Sequence, residues 1–152
     1  MKLITYVCLT ALAVMLTSCR TVESQNRGFH EAPADRRTQL LKESKRLGNG
    51  ILQAFRQGDF VALTRNIPGD LLGKLTEKDF SRSCSEFRDK FGELEDFKLL
   101  TSLDTPAFGN LIWVATFVRS GTGGADIRRQ LLFRLVTMEL DGETRVVSFG
   151  FI

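Results

Sequence analysis

Hydrophobic positions change rhythm twice along this chain. Leu3 to Leu16 form an apolar run broken only by Thr5, Tyr6 and Thr10, with Lys2 just ahead of it. From Asp35 the apolar residues recur at spacings near 3.6, and from Glu95 to the end they alternate with period two. The pattern predicts a short oily segment, then helices, then strands.

Asp35 is positioned to cap a helix running to Gln57, with Leu40, Leu47, Ile51 and Phe55 as its stripe and Leu41 and Leu52 widening it. Gly48 and Gly50 each weaken that helix by about 1 kcal/mol relative to Ala. Their presence predicts a bend, or the close approach of another backbone. Gly58-Asp59 ends this element and caps a short helical piece from Phe60 to Leu63. After "RNIPGDLLGK", Thr76 and Asp79 form the pattern of a capping box, and Leu75 and Phe80 that of a hydrophobic staple. Phe80, Cys84, Phe87 and Phe91 make one stripe, and Gly92 stops the helix. A thiol inside an aromatic stripe is expected to be a small core residue.

Strands are predicted over 96–103, 111–119, 127–140 and 144–152, joined by short links that include a hairpin turn at Asp141-Gly142. Such a series makes an antiparallel meander. Leu131, Phe133 and Leu135 should meet the helices, together with Val147, Phe149 and Phe151. The other face has Leu132, Val136, Met138, Val146 and Ile152, with Arg134 among them, and is less polar than solvent alone would require. It is a candidate partner face, for a second copy or an envelope protein. The alternative is that part of the same chain, such as "RNIPGDLLGK", covers it.

Composition narrows the function. At 152 residues, 43% hydrophobic and 26% charged, the chain suits one globular domain with a short accessory segment. The formal charge of +3 is spread along the chain, with no basic block interleaved with aromatics, so nucleic-acid binding has no support. The only histidine, His30, has no positioned partners in sequence. Metal-ligand spacing, phosphate-loop spacing and a Ser-His-Asp set are all missing, so no metal or cofactor is expected.

The oily start explains where the protein should reside. Lys2 and the run after it have the form of an export signal, too short for a membrane-spanning helix. Leu16-Thr17-Ser18-Cys19 resembles the bacterial lipobox, in which Leu16, Thr17 and Ser18 would guide the signal peptidase. In that family the cysteine sulfur receives a diacylglyceryl group, and the peptidase then cuts before it. The resemblance implies a signal peptide over 1–18, lipid attachment at Cys19 and a tether over 19–35. The plainer alternative is an ordinary signal peptide, or an uncleaved anchor, with a coincidental cysteine; Cys8 also sits in the run, but Thr5-Tyr6-Val7 before it do not fit the lipobox pattern. Cleavage would leave Cys84 as the sole free thiol. Arg20 after the cysteine implies the outer membrane in a host with two membranes.

Residues 36–152 form the third expected segment. "ILQAFRQGDFVAL", "LTEKDF" and "DKFGELEDF", followed by the strand block, resemble the cystatin-like cone of the nuclear transport factor 2-like superfamily. The resemblance implies an α+β fold, with helices packed on a curved four-stranded meander. Some of that superfamily are enzymes such as ketosteroid isomerase, whose chemistry uses a carboxylate base, a tyrosine and a protonated Asp. Here the only tyrosine, Tyr6, lies in the leader, and the strand-region acids Asp104, Asp126, Glu139, Asp141 and Glu143 fall at loops or strand ends. A lipid-anchored, non-catalytic binding or assembly module is therefore expected. The alternatives are a small apolar ligand held in the cone and, more remotely, an enzyme of that superfamily.

Overall fold

The computed structural model describes residues 34–67, 72–73, 75–103, 105, 107–121 and 124–152. Leu16, Thr17, Ser18, Cys19 and His30, with the expected leader and most of the tether, lie outside the described residues.

Three helices precede four strands. Helix α1 spans Ala34–Gln57 and buries Leu40, Leu47, Ile51 and Leu52 of the expected stripe, with Leu41 and Phe55 half-buried. Asp35 lies in its first turn rather than before it, so it complements the helix dipole instead of capping the end. The far end closes on Gly58 at φ 66°, with Gly58 N–H donating to the Phe55 carbonyl and Asp59 N–H to that of Ala54. This pair of bonds satisfies carbonyls that the helix leaves open, and the positive φ is why glycine stands there. Asp59 then accepts from Ala62 N–H at 2.9 Å and starts α2, Phe60–Asn66, three residues longer than expected.

Helix α3, Glu77–Phe91, begins at the expected capping box. Thr76 Oγ1 accepts from Asp79 N–H at 3.2 Å and donates to the Asp79 carboxylate at 2.7 Å. Gly92, at φ 96°, ends the helix. Phe80 and Cys84 are buried, and Phe87 and Phe91 half-buried.

Strands β1 (Glu93–Leu103), β2 (Phe108–Ser120), β3 (Asp126–Leu140) and β4 (Glu143–Phe151) form one antiparallel sheet in the order of the chain. The class is the expected α+β meander, consistent with a cystatin-like arrangement. All three helices pack on the sheet face that carries Trp113, Phe117, Phe133 and Leu135, which are almost wholly buried. Aromatic rings join the layers: Phe87 lies 4.9 Å from Phe151 and 5.4 Å from Phe55, while Phe133 lies 5.4 Å from Phe151.

Two expectations about the sheet need correction. Strand β4 has a register shift opposite Val136/Thr137, where Thr137 pairs with Val146 but Val136 pairs with Ser148. One extra residue, Val147, sits in that bulge and reverses the alternation beyond it. Val146 therefore enters the core, 4% exposed, and leaves the candidate partner face, while Val147 is 38% exposed instead of meeting the helices. The second correction concerns "RNIPGDLLGK". Its described apolar members, Ile67 and Leu72, pack against the core, and neither covers the outer face of the sheet.

The glycines of α1 explain its close seating. A Cβ on Gly48 would overlap the Trp113 ring, and one on Gly50 would meet the Asn66 amide. The partners are side chains rather than the backbone that the sequence suggested. Next to Gly48, Asn49 Oδ1 accepts from Trp113 Nε1 at 2.9 Å. Four residues earlier, Ser44 Oγ lies 2.5 Å from Thr137 Oγ1, and neither residue is exposed.

Candidate functional site

Where the three helices approach β4 they leave an apolar cleft of about 240 Å³. Ile51 and Phe55 come from α1, Leu63 from α2, Phe80 and Ser83 from α3, and Phe133, Phe149 and Phe151 from the sheet, with Leu75 beside them. The staple residues Leu75 and Phe80 thus share one wall. Phe149 stands at the lip with 37% of its surface exposed, because it lies on the edge strand beyond full helix cover. Ser83 is the only described lining residue with a polar side chain, and its hydroxyl donates to the Asp79 carbonyl at 2.9 Å. Among the described residues, the lining contains no carboxylate, imidazole, thiol or amine. What the cleft offers is aromatic and aliphatic surface, matched to an apolar group smaller than the ligands of typical 300–1,000 Å³ pockets.

Sequence reasoning did not single out this cleft. Its apolar lining residues read as ordinary core-facing positions of the helices and strands. Only the exposure of Phe149 on the final, one-sided strand distinguishes it from filled interior.

The sequence-predicted partner face is brought together in part. Leu132, Arg134, Val136, Met138 and Ile152 fall on the outer side of the sheet; Ile152 is 67% exposed and Leu132 37%, while Val136 and Met138 are half-buried. In register with them, Ile112 pairs with Arg134 and Val114 with Leu132. Arg134 Nε donates to Asn110 Oδ1 across the strands at 3.0 Å, so this guanidinium is held flat along the sheet.

Cys84 sits where the stripe placed it, 6% exposed, with its thiol directed at the Phe55 carbonyl at 3.8 Å. Burial pushes the thiol above its ordinary range, and nearby Arg88 opposes this only in part. Glu95 and Asp96 face water, and Glu95 accepts from Arg128 at 3.0 Å. Asp126, Glu139, Asp141 and Glu143 are exposed, and Asp104 lies outside the described residues. Among the described residues, no group of three His, Cys, Asp or Glu side chains is arranged to hold a metal ion. No helix among them is long and apolar enough to cross a membrane.

No family model matches the chain, and no curated protein does. Solved structures with a similar outline include a SEC-C motif containing protein from Rhodopseudomonas palustris, at 15% identity and a TM-score of 0.47, covering 77% of this chain and 84% of the other. Another is AclR from Streptomyces galilaeus, named as a candidate hydroxylase, at 14% identity and a TM-score of 0.47, covering 74% and 79%. Neither likeness bears on function.

Proposed function

We propose that the protein is a lipid-anchored component of a bacterial cell envelope whose domain is a non-catalytic module that holds a small apolar group in the cleft between the helices and β4. The cleft itself is the observation that carries this reading. It is open at Phe149, walled by aromatic and aliphatic side chains, and among its described residues has no titratable group with which to move a proton. Anchoring rests on the Leu16-Thr17-Ser18-Cys19 pattern, and it would place such a domain beside a membrane rich in apolar ligands. An apolar fluorescent probe tests the ligand reading. The chain from Arg20 onward should enhance its emission saturably at one site, and Leu75→Trp, which fills the cleft, should abolish that enhancement while the circular dichroism spectrum is unchanged. Undiminished binding to the filled variant removes the reading.

A second reading is favoured by the outer sheet face, where Leu132, Val136, Met138 and Ile152 lie outside the helix layer. This face would join a second copy or another envelope protein. Sedimentation decides between the two: a dimer that Val136→Glu converts to a folded monomer supports assembly.

A further inference from the structure

Basic residues are scattered along the chain, but the domain's net positive charge falls on its first helix. α1 carries six basic side chains (Arg36, Arg37, Lys42, Lys45, Arg46 and Arg56) against two acids, Asp35 and Glu43. From residue 58 to the C-terminus the balance reverses, with 14 acids to 12 bases. At about 100° per residue, Lys42, Lys45, Arg46 and Arg56 fall within a single arc of about 100°, opposite the buried Leu40, Ser44 and Ile51. Thr38, Asn49 and Gln53 fill the rest of that arc without an apolar side chain, and Asp35, in the first turn, is its one acid. Arg46 shares its charge with Glu43 at 2.8 Å, whereas Lys42, Lys45 and Arg56 form no ion pair among the described residues. Helix α3 is different: its charges are four of each sign and interleaved, the ordinary pattern of a solvated face.

We propose that this arc of α1 docks on the anionic phospholipid surface that holds the protein's own anchor. The proposal rests on lipid attachment at Cys19. Only residues 20–33 separate that cysteine from Ala34, where α1 begins. A random coil of that length would span roughly 20 Å, which would keep the first element of the domain close to the headgroups. Anionic leaflets attract basic segments near their surface, within a Debye length of about 8 Å at physiological salt. Because the arc has no apolar residue, the helix lies on the headgroups without entering the acyl region, and salt loosens it. Apart from Asn49, which turns back to Trp113, the arc lies on the side of α1 away from the sheet, so docking turns the outer sheet face, with Leu132 and Met138, towards the aqueous side.

The full-length lipidated protein, reconstituted on vesicles, provides the test. Flotation shows whether the anchor holds, on phosphatidylcholine alone and on phosphatidylcholine mixed with phosphatidylglycerol. Lysine acylation mapped by mass spectrometry then reports the docked face. Lys42 and Lys45 should react several-fold more slowly on the anionic vesicles than on the neutral ones, and high salt should erase the difference. Lys78 on α3 and Lys98 on β1 should react equally on both. Arg56→Glu, which keeps both lysines, should weaken the protection. A protein that floats but whose Lys42 and Lys45 react equally on both vesicles overturns the docking and leaves the anchor standing. Protection of Lys98 instead of Lys42 also overturns it, since the sheet would then face the lipid. A protein that floats with neither vesicle overturns anchor and docking together.

Discussion

Gly48 of α1 lies directly against the six-membered ring of Trp113, with no room between them for a Cβ. The helix reaches the sheet only because this position has no side chain, and the Asn49 hydrogen bond then fixes the indole's tilt. Gly48→Ala gains about 1 kcal/mol of helix propensity but overpacks a wholly buried ring, which typically costs about 1–3 kcal/mol. The expected outcome is net destabilisation, seen as a lower urea midpoint. Gly50→Ala serves as the contrast. Its Cβ would meet the end of the Asn66 side chain, which can turn aside, so it should be tolerated better.

Ser44 and Thr137 make the only side-chain hydroxyl pair that is fully buried among the described residues. Ser44 can donate to the Leu40 carbonyl at 2.6 Å, and Thr137 to the Gly109 carbonyl at 3.3 Å. Ser44→Ala and Thr137→Val should each cost about 1 kcal/mol, the usual value for a buried hydrogen bond. Together they should cost less than the separate losses combined, because the second change leaves no hydroxyl without its partner. Chemical denaturation of the two single variants and the double variant measures that coupling.

At α3, hydrogen bonds from the Thr76 side chain and then its backbone hold the Asp79 carboxyl below its ordinary range, with Arg82 adding to this. A carboxyl lowered by folding stabilises the native state above its unfolded pKa, and that contribution is lost as pH falls through the folded value. Thr76→Ala should therefore lower stability at neutral pH and flatten the acid limb of the stability curve below the ordinary Asp range. Thermal melts from neutral to strongly acid pH test this. An acid limb as steep as the wild type's contradicts it.

The buried thiol of Cys84, raised by burial, should stay protonated and shielded at neutral pH. The chain from Arg20 onward should react slowly with a disulfide-exchange reagent in native buffer and rapidly in denaturant. Fast native labelling would mean that the Phe80–Phe91 stripe opens.

Replacing Cys19 with Ala should move the protein from membrane to soluble fractions, or leave it unprocessed. Unaltered lipid labelling of that variant contradicts attachment at Cys19.

Local chemistry made most of the fold legible. The capping box at Thr76, the stop at Gly58 and the switch to period two after Gly92 each act within a few residues, so they are visible in order along the chain. The phase of β4 is different. In "VVSFGF" two adjacent valines are chemically equal, and unbroken alternation from Phe151 assigns Val147 inward. Pairing of Val146 with Thr137, across the hairpin, decides otherwise. Ser44 was hidden for a related reason. A hydroxyl in an apolar stripe is tolerated only when a partner faces it, and that partner lies 93 residues away. The candidate partner face lost Val146 to the same bulge but kept its other members. The cleft required knowing how far the helix layer stops short of the last strand, which no single segment encodes.

The two borders of the sheet are unequal. β1 is interrupted twice in register and carries Glu93, Glu95, Asp96 and Lys98, whereas β4 from Val146 to Phe151 has no charge. β4 has one bulge of its own, at Val147, so what separates the two borders is charge, which blunts a border strand against further pairing and whose absence invites it. A molecule with one receptive border and one refractory border can join a like molecule only once. Strand-to-strand contact in this protein would thus terminate at a pair, and high local concentration would not seed a growing fibril.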